Sequence, residues 1–100
     1  NYASMPLAMH LQGGKRYHLF MRFKIQTESQ WLNLHIKEAG SKRLQIIHRH
    51  KVQPNDAKEW VTISKDFVPN NDIYSEFMVG AMQIAGEGRF LAIDYIYITD

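Results

Sequence analysis

Apolar and polar residues alternate with a period of two along most of this chain, the pattern of half-buried strands. Tyr17, Leu19, Met21, Phe23 and Ile25 alternate with His18, Phe20, Arg22, Lys24 and Gln26. The first set is assigned to the core, the second to a basic, partly aromatic outer face. Upstream, Met5, Leu7, Met9 and Leu11 alternate with Pro6, Ala8, His10 and Gln12. Pro6 places the start of that strand at an edge or a bend, and Gly13-Gly14 predicts a turn. Downstream of a short turn at 27–30, Leu32, Leu34 and Ile36 alternate with Trp31, Asn33, His35 and Lys37. The loop Glu38-Ala39-Gly40-Ser41-Lys42 follows, and residues 44–52 return as the partner strand. The simplest hairpin register sets Leu34 against Ile46 and Ile36 against Leu44 on the core side. It puts Trp31, Asn33 and His35 beside Arg49, Ile47 and Gln45 on the opposite face, with His48 and His50 on the core side. A slip of one residue would reverse every side chain.

The second half continues in strands. Residues 53–59 form a polar loop with Pro54. In residues 60–68 the parity is broken, because Val61, Ile63 and Phe67 share a face that excludes Trp60; a bulge is expected there. A turn at 69–72 leads to strands over 73–84 and 90–99, with Gly86-Glu87-Gly88 between them read as a hairpin turn. Positions 77–99 are the most apolar of the chain, and the core is expected to form against them. Seven short strands separated by turns, with no helical period, predict an all-β antiparallel sandwich.

Composition narrows the class without identifying a chemistry. One hundred residues make one domain, and 45% hydrophobic with 12% aromatic residues describes a globular chain. The absence of cysteine removes disulfides and thiol chemistry. No run approaches the roughly 18 apolar residues of a membrane helix. The chain opens at Asn1 rather than a methionine, which reads as a module or fragment of a longer protein. The net charge of +2 is unevenly spread. Nine Lys and Arg against two acids lie between positions 15 and 51, and three against eight from position 52 onward. A basic half can attract an anionic ligand, although two solvated, mutually neutralising faces explain it more simply.

Trp31, with Arg22, Lys24, Asn33, His35, Gln45 and Arg49, is expected on one face of one sheet. Sugar binding takes an aromatic platform flanked by planar donors and acceptors, and this set has that composition. On composition alone the face reads more simply as Trp31 covering the core edge among solvated neighbours. His48 and His50 have the spacing of two metal ligands on a strand, but no third lies nearby in sequence. Asp94 interrupts an apolar strand and requires a partner; a structural calcium and a network of backbone N–H donors are both open. No nucleophile elbow or zinc-protease motif is present, and facing carboxylates for glycoside hydrolysis are not evident. RNA-recognition, helical and zinc-finger signatures are also missing, which makes nucleic acid an unfavoured partner.

Three spaced segments together carry a resemblance. These are Gly14-Lys15-Arg16-Tyr17-His18-Leu19-Phe20-Met21-Arg22-Phe23-Lys24, Glu59-Trp60-Val61-Thr62-Ile63-Ser64-Lys65-Asp66-Phe67, and the run Gln83 to Ile98 with its ending Phe90-Leu91-Ala92-Ile93-Asp94-Tyr95-Ile96. Their order and spacing resemble the carbohydrate-binding modules of families four, nine and twenty-two, in the galactose-binding-like superfamily. Tyr95 stands where that family has a second aspartate, Phe20 where it has a small serine, and its N-terminal strands have no counterpart here. The resemblance implies a jelly-roll sandwich that binds oligo- or polysaccharide without catalysis. It implies a secreted or cell-surface location and an attached enzyme or partner domain. It places ligand contacts on Trp31, Arg22, Asn33, His35, Gln45 and Arg49, with the arginines suiting an acidic sugar. The missing strands weaken a calcium role for Asp94, and no other cofactor is implied. The rival expectation is a structural or assembly domain whose exposed face or open edge binds another protein chain.

Overall fold

Alternation in β2 (Tyr17–Gln26) is complete: Tyr17, Leu19, Met21, Phe23 and Ile25 are buried, and the residues between them are not. This strand is the centre of the molecule. The computed structural model describes residues 2–7, 10–37, 44–72, 77–82 and 86–100, with 2–7 and 77–82 described by their backbone course. The strands are β1 (Tyr2–Leu7), β2, β3 (Trp31–Lys37), β4 (Leu44–Lys51), β5 (Val61–Phe67), β6 (Phe77–Met82) and β7 (Phe90–Thr99). A single 3-10 turn, Pro54–Ala57, joins β4 to β5. The fold is all-β, and every pairing among the described residues is antiparallel.

β2 lies between β5 and β7 in a three-stranded sheet. β1 pairs with β6 and β3 with β4, and β3 packs beside β6. The buried faces meet in one cluster, where Leu19, Met21, Phe23 and Ile25 join Leu32, Leu34, Ile36, Ile47 and Ile63. Leu11 and Phe67 close its ends. The link from Leu11 to β2 is tied down by its backbone. Gln12 N–H donates to the Tyr17 hydroxyl at 2.8 Å and Gly13 N–H to Asp72 at 2.7 Å. Gly14 holds a φ of 81°, which favours glycine.

Four expectations change. The β7 part of the apolar C-terminal segment packs against the core without being buried in it. Among the described residues β7 is an end strand of its sheet, and its Leu91, Ile93, Ile96 and Ile98 are only partly buried, whereas β2 is covered on both flanks. Gly86-Glu87-Gly88 is a turn but not a hairpin, because β6 pairs with β1 and β7 with β2. The bulge expected near Trp60 is absent: β5 pairs with β2 in continuous register, and Trp60 stays outside. The bulge falls in β7 instead, where Arg22 faces Tyr95 and Phe23 faces Ile93, leaving Asp94 without a register partner.

The β3–β4 register also differs. Leu34 faces His48, not Ile46, and after a shift His35 faces Ile46 and Ile36 faces Gln45. Ile47 is the extra residue and turns into the core at 7% exposure, while Leu44 and Ile46 turn outward at 43% and 53%. A bulge inserts one residue and so inverts the parity beyond it; simple alternation cannot anticipate that. The loop 38–42, Met9 and the outer parts of the 73–84 strand lie outside the described residues.

Candidate functional site

The outward residues of the three-stranded sheet form a grid fixed by its registers. Thr62, Arg22 and Tyr95 lie side by side in one row, Ser64, Phe20 and Tyr97 in the next, and Asp66, His18 and Thr99 in a third. Trp60, immediately before β5 and 40% exposed, stands at the other end. Lys24 Nζ lies 4.8 Å from the centre of its ring and the Arg22 guanidinium carbon 5.5 Å. Phe20 and Tyr97 stack with centroids 5.0 Å apart, and Tyr95 lies 5.6 Å from Tyr97. Tyr95 and Tyr97 are both exposed. The face therefore combines four aromatic rings with hydroxyls and two cations.

Charges on this face are partly paired. Arg22 Nε approaches Asp94 Oδ2 at 3.6 Å, beyond good hydrogen-bond geometry, and makes no hydrogen bond within the protein. His18 Nδ1 pairs with Asp66 Oδ1 across the strand pair. Asp94 thus meets a guanidinium rather than a metal site. Among the described residues no group of three or more His, Asp or Glu converges, so these residues do not fit the several oxygen ligands calcium takes.

The six residues expected on one face separate into four places. Arg22 belongs to the grid just described. Trp31, Asn33 and Arg49 do come together, on the outward side of β3–β4. There the Arg49 guanidinium lies 4.4 Å over the Trp31 ring, and its Nε donates to Asn33 Oδ1 at 3.0 Å. Gln45 braces the β5–β6 link: its Nε2 donates to the Val68 carbonyl and its Oε1 accepts from Asn70 N–H, both at 2.7 Å. His35, expected at the surface, is 1% exposed, because β3 is covered on both faces there: Leu34, His35 and Ile36 are all buried. Trp60, Tyr95 and Tyr97 were not among the expected contacts. The signal for them was the parity of β2, whose outer face includes Phe20, Arg22 and Lys24, and which has β5 and β7 as neighbours.

His48 and His50 take the core side of β4, as expected, but hold different partners. His50 meets the Phe23 ring edge-on at 5.4 Å, and its Nε2 lies 2.7 Å from Asp56 Oδ2. The same oxygen accepts Gln53 N–H at 2.9 Å, fixing the start of the 3-10 turn. His48 faces Lys65. Burial, then Lys65 and His50, holds the His48 pKa below its ordinary 6.5; burial, then Lys37, does the same for His35. For both residues the folded state refuses a proton that the unfolded chain accepts, so stability falls as pH drops below about 6.5 and levels off beneath the folded values. Urea midpoints at pH 7.5 and pH 5.5 check this; an unchanged or higher midpoint at pH 5.5 would contradict it.

A cleft of about 340 Å³ lies between the β2–β3 link and the 3-10 turn, bounded by Gln26, Thr27, Glu28, Val52, Gln53 and Pro54. Among the described residues none of its walls is aromatic. Comparison with family models, with curated proteins and with solved structures finds no match to this chain.

Proposed function

We propose that this chain is a non-catalytic carbohydrate-binding module of jelly-roll type that holds a polysaccharide on the outward face of β5, β2 and β7. The observation that carries the reading is the gathering of Trp60, Phe20, Tyr95 and Tyr97 on one exposed face, interleaved with Thr62, Ser64, Arg22 and Lys24. Pyranose rings offer apolar C–H faces to such rings, and their hydroxyls take the neighbouring donors and acceptors. The stacked Phe20–Tyr97 pair is already ordered, which reduces the entropy lost on binding. The Trp31 patch is the smaller platform: it offers a single aromatic ring, also with a cation over it, and the Asn33 oxygen is occupied. Service to an attached enzyme at the cell surface, or secreted with it, follows from the family resemblance alone.

Replacing Trp60 with alanine is expected to weaken polysaccharide binding by about tenfold, the equivalent of about 1.4 kcal/mol, whereas Trp31→Ala retains it. Affinity electrophoresis against soluble glycans reads both. Loss in Trp31→Ala with retention in Trp60→Ala would move the site to the other strands. No retardation of the wild type by any glycan would remove the reading.

One observation favours assembly as a second reading. β4 ends its described strand pair while exposing Leu44 and Ile46, an apolar edge suited to another chain. A persistent oligomer at micromolar concentration in sedimentation would support it.

A further inference from the structure

We propose that the Trp60 site selects acidic sugars, those whose rings carry a carboxylate or a sulfate ester; this rests on the carbohydrate-binding reading above. Arg22 and Lys24 are two apart on β2 and therefore share its outward face. Both lie within 5.5 Å of the Trp60 ring centre, so one platform is bracketed by two cations. A cation over an indole occupies the surface on which a sugar stacks. A neutral sugar has to push Lys24 aside into water. An acidic sugar lets Lys24 swing from the ring to the anionic substituent and keep a partner.

The local charge balance points the same way. Among the described residues Lys24 makes no ion pair. Arg22 is only loosely engaged, 3.6 Å from Asp94, and its Nε makes no hydrogen bond within the protein. The other carboxylate of the grid, Asp66, lies at the far end with His18. Beside Trp60 the two cations thus meet one loosely engaged carboxylate, Asp94, while Glu59 accepts from Asn55 at 3.1 Å, and a charge-assisted hydrogen bond to either cation is about twice as strong as a neutral one. Thr62 and Tyr95, beside Arg22 in register, supply hydroxyls for the rest of the ring.

The test titrates the whole chain with polygalacturonate, a sulfated dextran, and neutral xylan and β-glucan, in 50 mM and 500 mM NaCl. Wild type is expected to bind at least one acidic polymer about tenfold more tightly than either neutral one, and to lose that margin in high salt. Lys24→Gln and Arg22→Gln, shown by thermal melts to fold like wild type, are each expected to lower the acidic-to-neutral affinity ratio about tenfold. The polygalacturonate and dextran arms tell carboxylate from sulfate. Neutral polymers bound equally well, with no change of ratio in Lys24→Gln, would overturn the acidic selectivity and leave a carbohydrate module. No binding to any glycan would overturn both. Equal affinity for single-stranded oligothymidylate would show a general polyanion face and also overturn the selectivity.

Discussion

Replacing Phe23 with alanine is expected to cost about 3–5 kcal/mol of folding stability. Its side chain is fully buried and, among the described residues, the largest that is. It lies at the middle of β2, with Val61 beside it on one flank and Ile93 on the other. Removing the ring leaves a cavity that strands on both sides cannot close without breaking register, because each is held by its ladder. Domains of this size are stable by only about 5–15 kcal/mol, so the loss is a large fraction of the total. Urea denaturation of wild type and Phe23→Ala measures it. A loss under about 1 kcal/mol would mean that β2 is not the centre of the core.

The second large effect is expected at Asp56. The residue is 8% exposed, and its carboxylate receives Gln53 N–H and the His50 ring. Asp56→Ala leaves a half-buried imidazole and a backbone donor without their acceptor, and stability is expected to fall by about 2–3 kcal/mol. Asp56→Asn, which keeps one acceptor oxygen, is expected to lose less. The two sites are coupled, because His50 rests its edge on Phe23; removing both should cost less than the sum of the separate losses. Additive losses in a double-mutant cycle would rule out that coupling, and a loss below about 0.5 kcal/mol for Asp56→Ala would rule out the anchoring role.

What the sequence made legible was whatever depends on period two alone. The burial of β2 follows residue by residue from its alternation, and β3 and β4 are located by the same period; the first strand, expected over 5–12, runs over Tyr2–Leu7 instead, and the strands after position 60 rest on apolar content and turn signals. Parity failed wherever a bulge intervened. Ile46 and Ile47 are both isoleucine, and nothing local says which one turns inward; the decision rests on the single extra residue opposite Leu34 and His35. His35 keeps its expected parity, but the outer face of β3 is covered there, which alternation does not reveal. Trp60 misled in the opposite way. Its broken parity suggested a bulge that would bring it inward, yet cations on β2 make the outside favourable for its ring. Grouping Arg22 with Trp31 required knowing which strands neighbour each other, and β2 is joined to β5 and β7 by contacts distant in sequence. Asp94, expected to need calcium or backbone donors, stands with its side chain 47% exposed instead, and the guanidinium that approaches it comes from the same non-local pairing.

The unpaired Asp94 matters beyond its meeting with Arg22. β7 is an end strand of ten residues, rich in isoleucine and tyrosine, and such a strand is a template on which further chains can stack through their backbones. The bulge divides it into two shorter runs of differing phase, and a negative charge stands at the break. An incoming strand cannot stay in step with both runs. One carboxylate placed out of register thereby gives a sticky, apolar segment some protection against fibre-like growth, at the same position where it lies beside the proposed ligand face.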